Sequence, residues 1–161
     1  MSYTTENELE TFGFKDAYIT KVDIKENQIT FTLEGVIVRG ENKNNTQYTD
    51  SYAKDLSITL YQSKIERAYK EGFKYYNAND ELIKEVPNED LSVEDFEKLL
   101  KSLEDPYLYA VSKVSGEGPF VYEFGIEERL EMEAGNTYWF QASFEKSITT
   151  FEGFLNRVQY S

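Results

Sequence analysis

The chain has 161 residues, with 17 Lys+Arg against 30 Asp+Glu for a formal charge of −13, and it contains neither cysteine nor histidine. Disulfide scaffolds, thiolate or imidazole metal sites and Cys- or Ser/His-based nucleophilic catalysis are thereby excluded. Nucleic acid and anionic lipid are disfavoured as partners, because binding them rests on clustered Lys and Arg, whereas a basic protein would be attracted.

The 13 Tyr and 11 Phe make the chain too rich in aromatics for a disordered acidic tail. Its length predicts one domain over residues 1–161. The opening MSYTTENEL is polar and acidic, unlike an export signal, and no apolar run is long enough to span a bilayer. Together with the absence of cysteine, this points to the cytoplasm and to no membrane contact.

From Tyr18 to Ile24 and from Ile29 to Leu33 the apolar residues alternate, as half-buried strands require. A two-residue turn at Glu26-Asn27 sets Ile24 opposite Ile29 and Val22 opposite Phe31. At Glu34-Gly35 the apolar parity switches, which predicts a bulge or a strand entering a new environment. Gly40 to Asp50 (GENKNNTQYTD) is turn-rich and reads as an exposed loop; the glycosylation-like triplet Asn44-Asn45-Thr46 falls inside it. Strand pattern resumes at Leu56, Ile58 and Leu60.

Residues 63–72 fit either period. The stretch Phe73 to Tyr76 suits a strand that turns at Asn77-Ala78-Asn79-Asp80 into Leu82-Ile83, a hairpin. One amphipathic helix is predicted over 91–104. Ser92 caps it, Asp95 stands three residues on, Leu91 and Phe96 occupy the staple positions, and Val93, Phe96, Leu99, Leu100 and Leu103 form one stripe. Asp105-Pro106 ends it.

Beyond the helix, a loop at Ser115 to Gly118 pairs Tyr107, Tyr109 and Val111 with Ile126, Phe124 and Tyr122, all on one face. A second loop at Ala134 to Asn136 opposes Met132 to Tyr138 and Leu130 to Phe140. The end, 147–160, reads as strand or irregular structure. The sum is a mainly β, β-rich α+β chain: an antiparallel β-sandwich or open barrel of about eight or nine strands with the one inserted helix.

Chemical motifs are sparse. Gly116-Glu117-Gly118 lacks the third glycine and the helix of a phosphate loop, and Ser51-Tyr52-Ala53-Lys54 lacks the partner motifs of a Ser-x-x-Lys enzyme. Glu131 with Glu133, and Glu123 with Glu127, offer the paired carboxylates of a hydrolase, on the parity that faces solvent. Asn77 to Glu81 and Asn88 to Asp90 offer oxygen ligands for calcium without the spacing of a calcium loop. Trp139, opposite in parity to Tyr138 and Phe140, could stack on a sugar. No cofactor is implied.

Charge is unevenly placed. Between Asp80 and Asp105 ten acids stand against Lys84, Lys98 and Lys101, which gives −7 of the −13. The sequence therefore favours a non-enzymatic acidic binding module, in the manner of an immunity or regulatory protein, meeting a basic partner through Glu89, Asp90, Glu94 and Glu97. The alternatives are a carbohydrate- or calcium-binding sandwich and a carboxylate-dependent hydrolase.

Overall fold

A computed structural model describes residues 2–131 and 135–160. In chain order the first strands are β1 (Tyr3–Glu6), β2 (Phe12–Gly13), β3 (Tyr18–Lys25), β4 (Gln28–Glu34), β5 (Ile37–Val38), β6 (Ser51–Lys54), β7 (Leu56–Tyr61) and β8 (Lys64–Lys70). Then come β9 (Phe73–Tyr76), β10 (Leu82–Val86), β11 (Glu89–Leu91), the helix α1 (Val93–Leu100), β12 (Pro106–Ser115), β13 (Phe120–Glu128), β14 (Asn136–Phe144), β15 (Lys146–Phe151) and β16 (Gly153–Arg157). All the pairings are antiparallel. The mainly β architecture with one inserted helix is as the sequence predicts, but among the described residues it is cut into sixteen strands rather than eight or nine.

The extra strands have a physical cause. The ten-stranded sheet runs β1-β15-β7-β4-β3-β12-β13-β14-β8-β11, and a four-stranded sheet runs β16-β6-β5-β2. Three neighbours in the first sheet, β15, β7 and β4, are continuous in sequence with β16, β6 and β5, which are neighbours in the second. The kinks fall at Glu152, at Asp55 with φ of 51°, and at Gly35 with φ of 82°. A left-handed φ is the conformation glycine adopts without strain, so the parity switch read at Glu34-Gly35 is a strand leaving one sheet for another. Val36 and Val38 are then fully buried in the new setting.

The ten-stranded sheet is two leaves joined by a seam. Strands β3 and β12 meet at one pair only, Tyr18 with Tyr107, and diverge from there. Across the interior, Phe31 of β4 faces Phe124 of β13 and Phe140 of β14, with ring centroids 6.0 and 6.2 Å apart. Phe124 and Phe140 stack at 4.9 Å. These rings, with Leu33, Leu56, Ile58, Leu60 and Ile126, form one buried cluster of the kind that supplies most folding free energy.

Local readings hold where a short turn fixes the register. Ile24 opposes Ile29 and Val22 opposes Phe31 across the turn at Glu26-Asn27, where Asn27 has φ of 61°. The helix is shorter than 91–104, yet its cap is the one expected: the Asp95 N–H donates to Ser92 Oγ at 3.1 Å. Leu91 belongs to β11 instead, paired with Ala68. Phe96 and Leu100 carry the stripe inward, and the Phe96 ring lies 5.1 Å from Phe140, so α1 covers the inner face of β14 and β8.

The structure decides the segments that the pattern left open. Residues 63–72 are β8 and its exit, and 147–160 are mostly strand. The Ser51 to Lys54 segment is strand β6 rather than the head of a catalytic helix. Gly40 to Asp50 is a loop with a built interior: Asn42 is buried, and Asn45 Nδ2 donates to the carbonyls of Val38, Arg39 and Thr49.

In β12 the expected face does not hold. A bulge between Leu108 and Ala110 sets Leu108 opposite Ile126 and Val111 opposite Phe124, and sends Tyr107 and Tyr109 to the outside. In β14 the partners of Tyr138 and Phe140 are Ile126 and Phe124, so Leu130 does not oppose Phe140. That slip of six residues is even, which preserves the buried face despite the wrong partners. Met132, Glu133 and Ala134 lie outside the described residues.

Candidate binding surfaces

Two regions of the surface remain without an evident internal role. The first is the hairpin β9–β10, a two-stranded sheet that pairs with nothing else among the described residues. Its turn is the one the sequence predicts: Asn77 Oδ1 accepts the N–H groups of Asn79 and Glu81 at 2.9 and 3.0 Å. Asn77 is thus engaged in turn-making, and among the described residues no group of three or more acids gathers to hold a metal.

Phe73, Tyr75, Tyr76, Leu82 and Ile83 are all exposed on this ribbon. Phe73 and Tyr75 share one face, with rings at 5.0 Å and the Lys84 ammonium over Tyr75. Tyr76 and Leu82 oppose each other in the register, and Lys74 pairs with Glu85 at 3.8 Å. At the base Gly72 is obligatory, because a Cβ there would stand 2.0 Å from the Val86 carbonyl. The Gly72 N–H donates to Asn88 Oδ1 at 2.7 Å and closes the loop.

Acids are frequent in the ribbon and in the segment that follows it in sequence. Of the ten between Asp80 and Asp105, nine are exposed and Glu97 is half-buried. The four candidate residues do not form one patch. Glu89 and Asp90 lie on β11, opposite Lys70 and Tyr69, so consecutive side chains fall on opposite faces of that edge. Glu94 is on the helix and pairs with Lys98 at 3.5 Å. Glu97 lines a groove of about 430 Å³ with Ile24, Lys25, Asn27 and Lys64. The structure therefore distributes them over a sheet edge and a helix flank, both connected in sequence to the ribbon.

The second region is the outer face of the leaf β12-β13-β14-β8-β11. Glu123 and Glu127 lie on it, partly exposed, and Glu131 is exposed in the loop after β13. Arg129 bridges Glu127 at 3.4 Å and Asp16 at 2.8 Å, and its guanidinium sits 3.7 Å from the centre of the Tyr107 ring. Such a bridging cation is charge balancing rather than a cleft between two acids. Trp139 also lies here, outside the core. Elsewhere on the surface, the Asp50 carboxyl is held below the usual carboxylate range because it accepts from Tyr160 Oη and the Gly40 N–H.

Tyrosines show the clearest electrostatic effects. Burial, then the hydrogen bond from its hydroxyl to Glu10 Oε1 at 2.9 Å, pushes the pKa of Tyr122 far above the ordinary value. Burial also raises Tyr138 and Tyr69, with Glu128 and Glu89 adding at Tyr138 and Glu123 at Tyr69. All these groups stay neutral over the physiological range.

No protein-family model matches the chain, and neither the curated proteins nor the solved structures contain a significant match. No helix among the described residues is long and apolar enough to cross a membrane.

Proposed function

We propose that the chain is an acidic protein-binding module of the immunity or regulatory kind, which docks a basic protein partner through the β9–β10 ribbon and the acidic segment C-terminal to it. The observation that carries this reading is the ribbon itself. A two-stranded hairpin gains little stability alone in water, and this one leaves five large apolar or aromatic side chains in solvent. Aromatic anchors surrounded by charge are the composition of a docking surface, with the anchors supplying affinity and the acids supplying approach rate and partner choice. Glu89, Asp90, Glu94 and Glu97 act in this reading as steering charges on the segment that follows the ribbon. The absence of cysteine suits the reducing cytoplasm, the compartment we assign to it.

Affinity capture with three forms of the protein tests this. The wild type is expected to retain a basic protein at low salt and release it as salt screens the acids. A form carrying Tyr75→Ser and Ile83→Ser is expected to lose it. A form with Glu89, Asp90, Glu94 and Glu97 changed to their amides is expected to bind more slowly and less tightly. Retention of the same proteins by all three forms, at every salt concentration, sinks the proposal.

A further inference from the structure

On the outer face of the second leaf, residues far apart in sequence form two parallel rows. The register sets Gly125 of β13 beside Trp139 of β14, Tyr69 of β8 and Asp90 of β11. Two residues along, Ser112, Glu123, Gln141 and Arg67 align across β12, β13, β14 and β8. The first row carries two adjacent aromatic residues, Trp139 and Tyr69, and the second is rich in hydrogen-bonding groups.

The indole is fixed, and it lies flat. Gly125 points outward yet is buried, because the six-membered ring of Trp139 covers it: a Cβ there would be 2.9 to 3.1 Å from three of that ring's carbons. Trp139 Nε1–H donates to Glu71 Oε1 at 3.3 Å. Tyr109, which the β12 bulge turns outward and leaves 45 % exposed, meets the indole at 88° with centroids 5.7 Å apart. With the indole against Gly125, Trp139 remains partly exposed.

We infer that this face is a saccharide-binding platform, on which a neutral pyranose chain stacks against Trp139, donates hydrogen bonds to Glu123 and Gln141, and accepts them from Gln141 and Arg67. A pyranose ring presents an apolar C–H face to an aromatic plane and hydroxyls at its rim, and those hydroxyls match carboxylate, amide and guanidinium groups placed one strand spacing apart, about 4.8 Å. The acids Glu71, Glu123 and Asp90 select against phosphorylated or sulfated ligands, which the net charge of −13 also repels. The ribbon has no part in this inference, so it stands or falls separately from the protein-docking proposal.

Trp139 is the one tryptophan of the chain, so its emission reports this surface alone. The probes are the hexaoses of β-1,4-glucose, β-1,4-xylose and α-1,4-glucose, titrated into the full chain. At least one is expected to give a saturable change in emission. Calorimetry with that sugar is expected to show affinity falling about tenfold or more in Gln141→Ala, equivalent to about 1.4 kcal/mol. The same loss is expected in Trp139→Leu, which still covers Gly125 but has no flat face, while Ile83→Ser leaves affinity unchanged. Circular dichroism confirms that each variant is folded. If no hexaose gives a saturable change, or if affinity survives in Gln141→Ala and Trp139→Leu, the platform is refuted and the indole serves only to cover a glycine.

Discussion

Two hairpins of this molecule share a local chemistry and differ in their surroundings. The β3–β4 hairpin turns at Glu26-Asn27 and buries Ile29, Phe31 and Leu33 to 2 % exposure or less, because β7 pairs with its free edge and the second leaf closes over its inner face. The β9–β10 hairpin turns at Asn77 to Asp80 and leaves Phe73, Tyr75, Tyr76, Leu82 and Ile83 between 46 and 65 % exposed, because among the described residues it has neither an edge partner nor a covering layer. Apolar alternation makes a hairpin in both places. Tertiary partners decide which one becomes core, and the one without them is free to meet another molecule.

The largest expected effect separates the two most sharply. Phe31→Ala removes a ring stacked between the leaves and is expected to cost about 3–5 kcal/mol in urea denaturation. Gly125→Ala forces the indole off the outer face and is expected to cost about 1–3 kcal/mol by overpacking, with a shift in Trp139 emission. Ser92→Ala removes the helix cap and is expected to cost about 1 kcal/mol. At the small end, Phe73→Ser and Ile83→Ser are expected to stay within about 0.5 kcal/mol of the wild type. A ribbon variant that destabilised the protein as much as Phe31→Ala would erase the distinction.

The core's pH response sharpens the comparison further. Because folding raises the Tyr122 pKa, the stability it contributes is complete below the ordinary tyrosine value of about 10 and is lost as pH rises past it. Alkaline titration of stability is expected to fall less steeply in Tyr122→Phe than in the wild type.

How much of this was legible depended on sequence distance. Ile24 opposite Ile29 came from a two-residue turn, and the Ser92 cap from four consecutive positions, since local geometry leaves few alternatives. The bulge at Tyr109 was not legible, because one extra residue in a strand changes no local propensity while reversing the faces of the residues beyond it. The short strands β1, β2 and β11 carry too few residues to show a period, and their pairing comes from Phe151, Val38 and Ala68 far along the chain. The acidic bias of 80–105 was plain, yet its division between a strand edge and a helix flank was not. The rows around Trp139 were hidden for the same reason: Tyr69, Tyr109, Gly125 and Trp139 become neighbours only through four strands of register.

Native-state hydrogen exchange measures the contrast between the two hairpins directly. The amides of β4, β13 and β14 are expected to exchange only through global unfolding, while those pairing β9 with β10 exchange orders of magnitude faster through local opening. Protection of the Phe73–Val86 and Tyr75–Lys84 pairings equal to that of Phe31 would mean that the ribbon is part of the cooperative core, and would contradict the proposal that it is a free arm held ready for a partner.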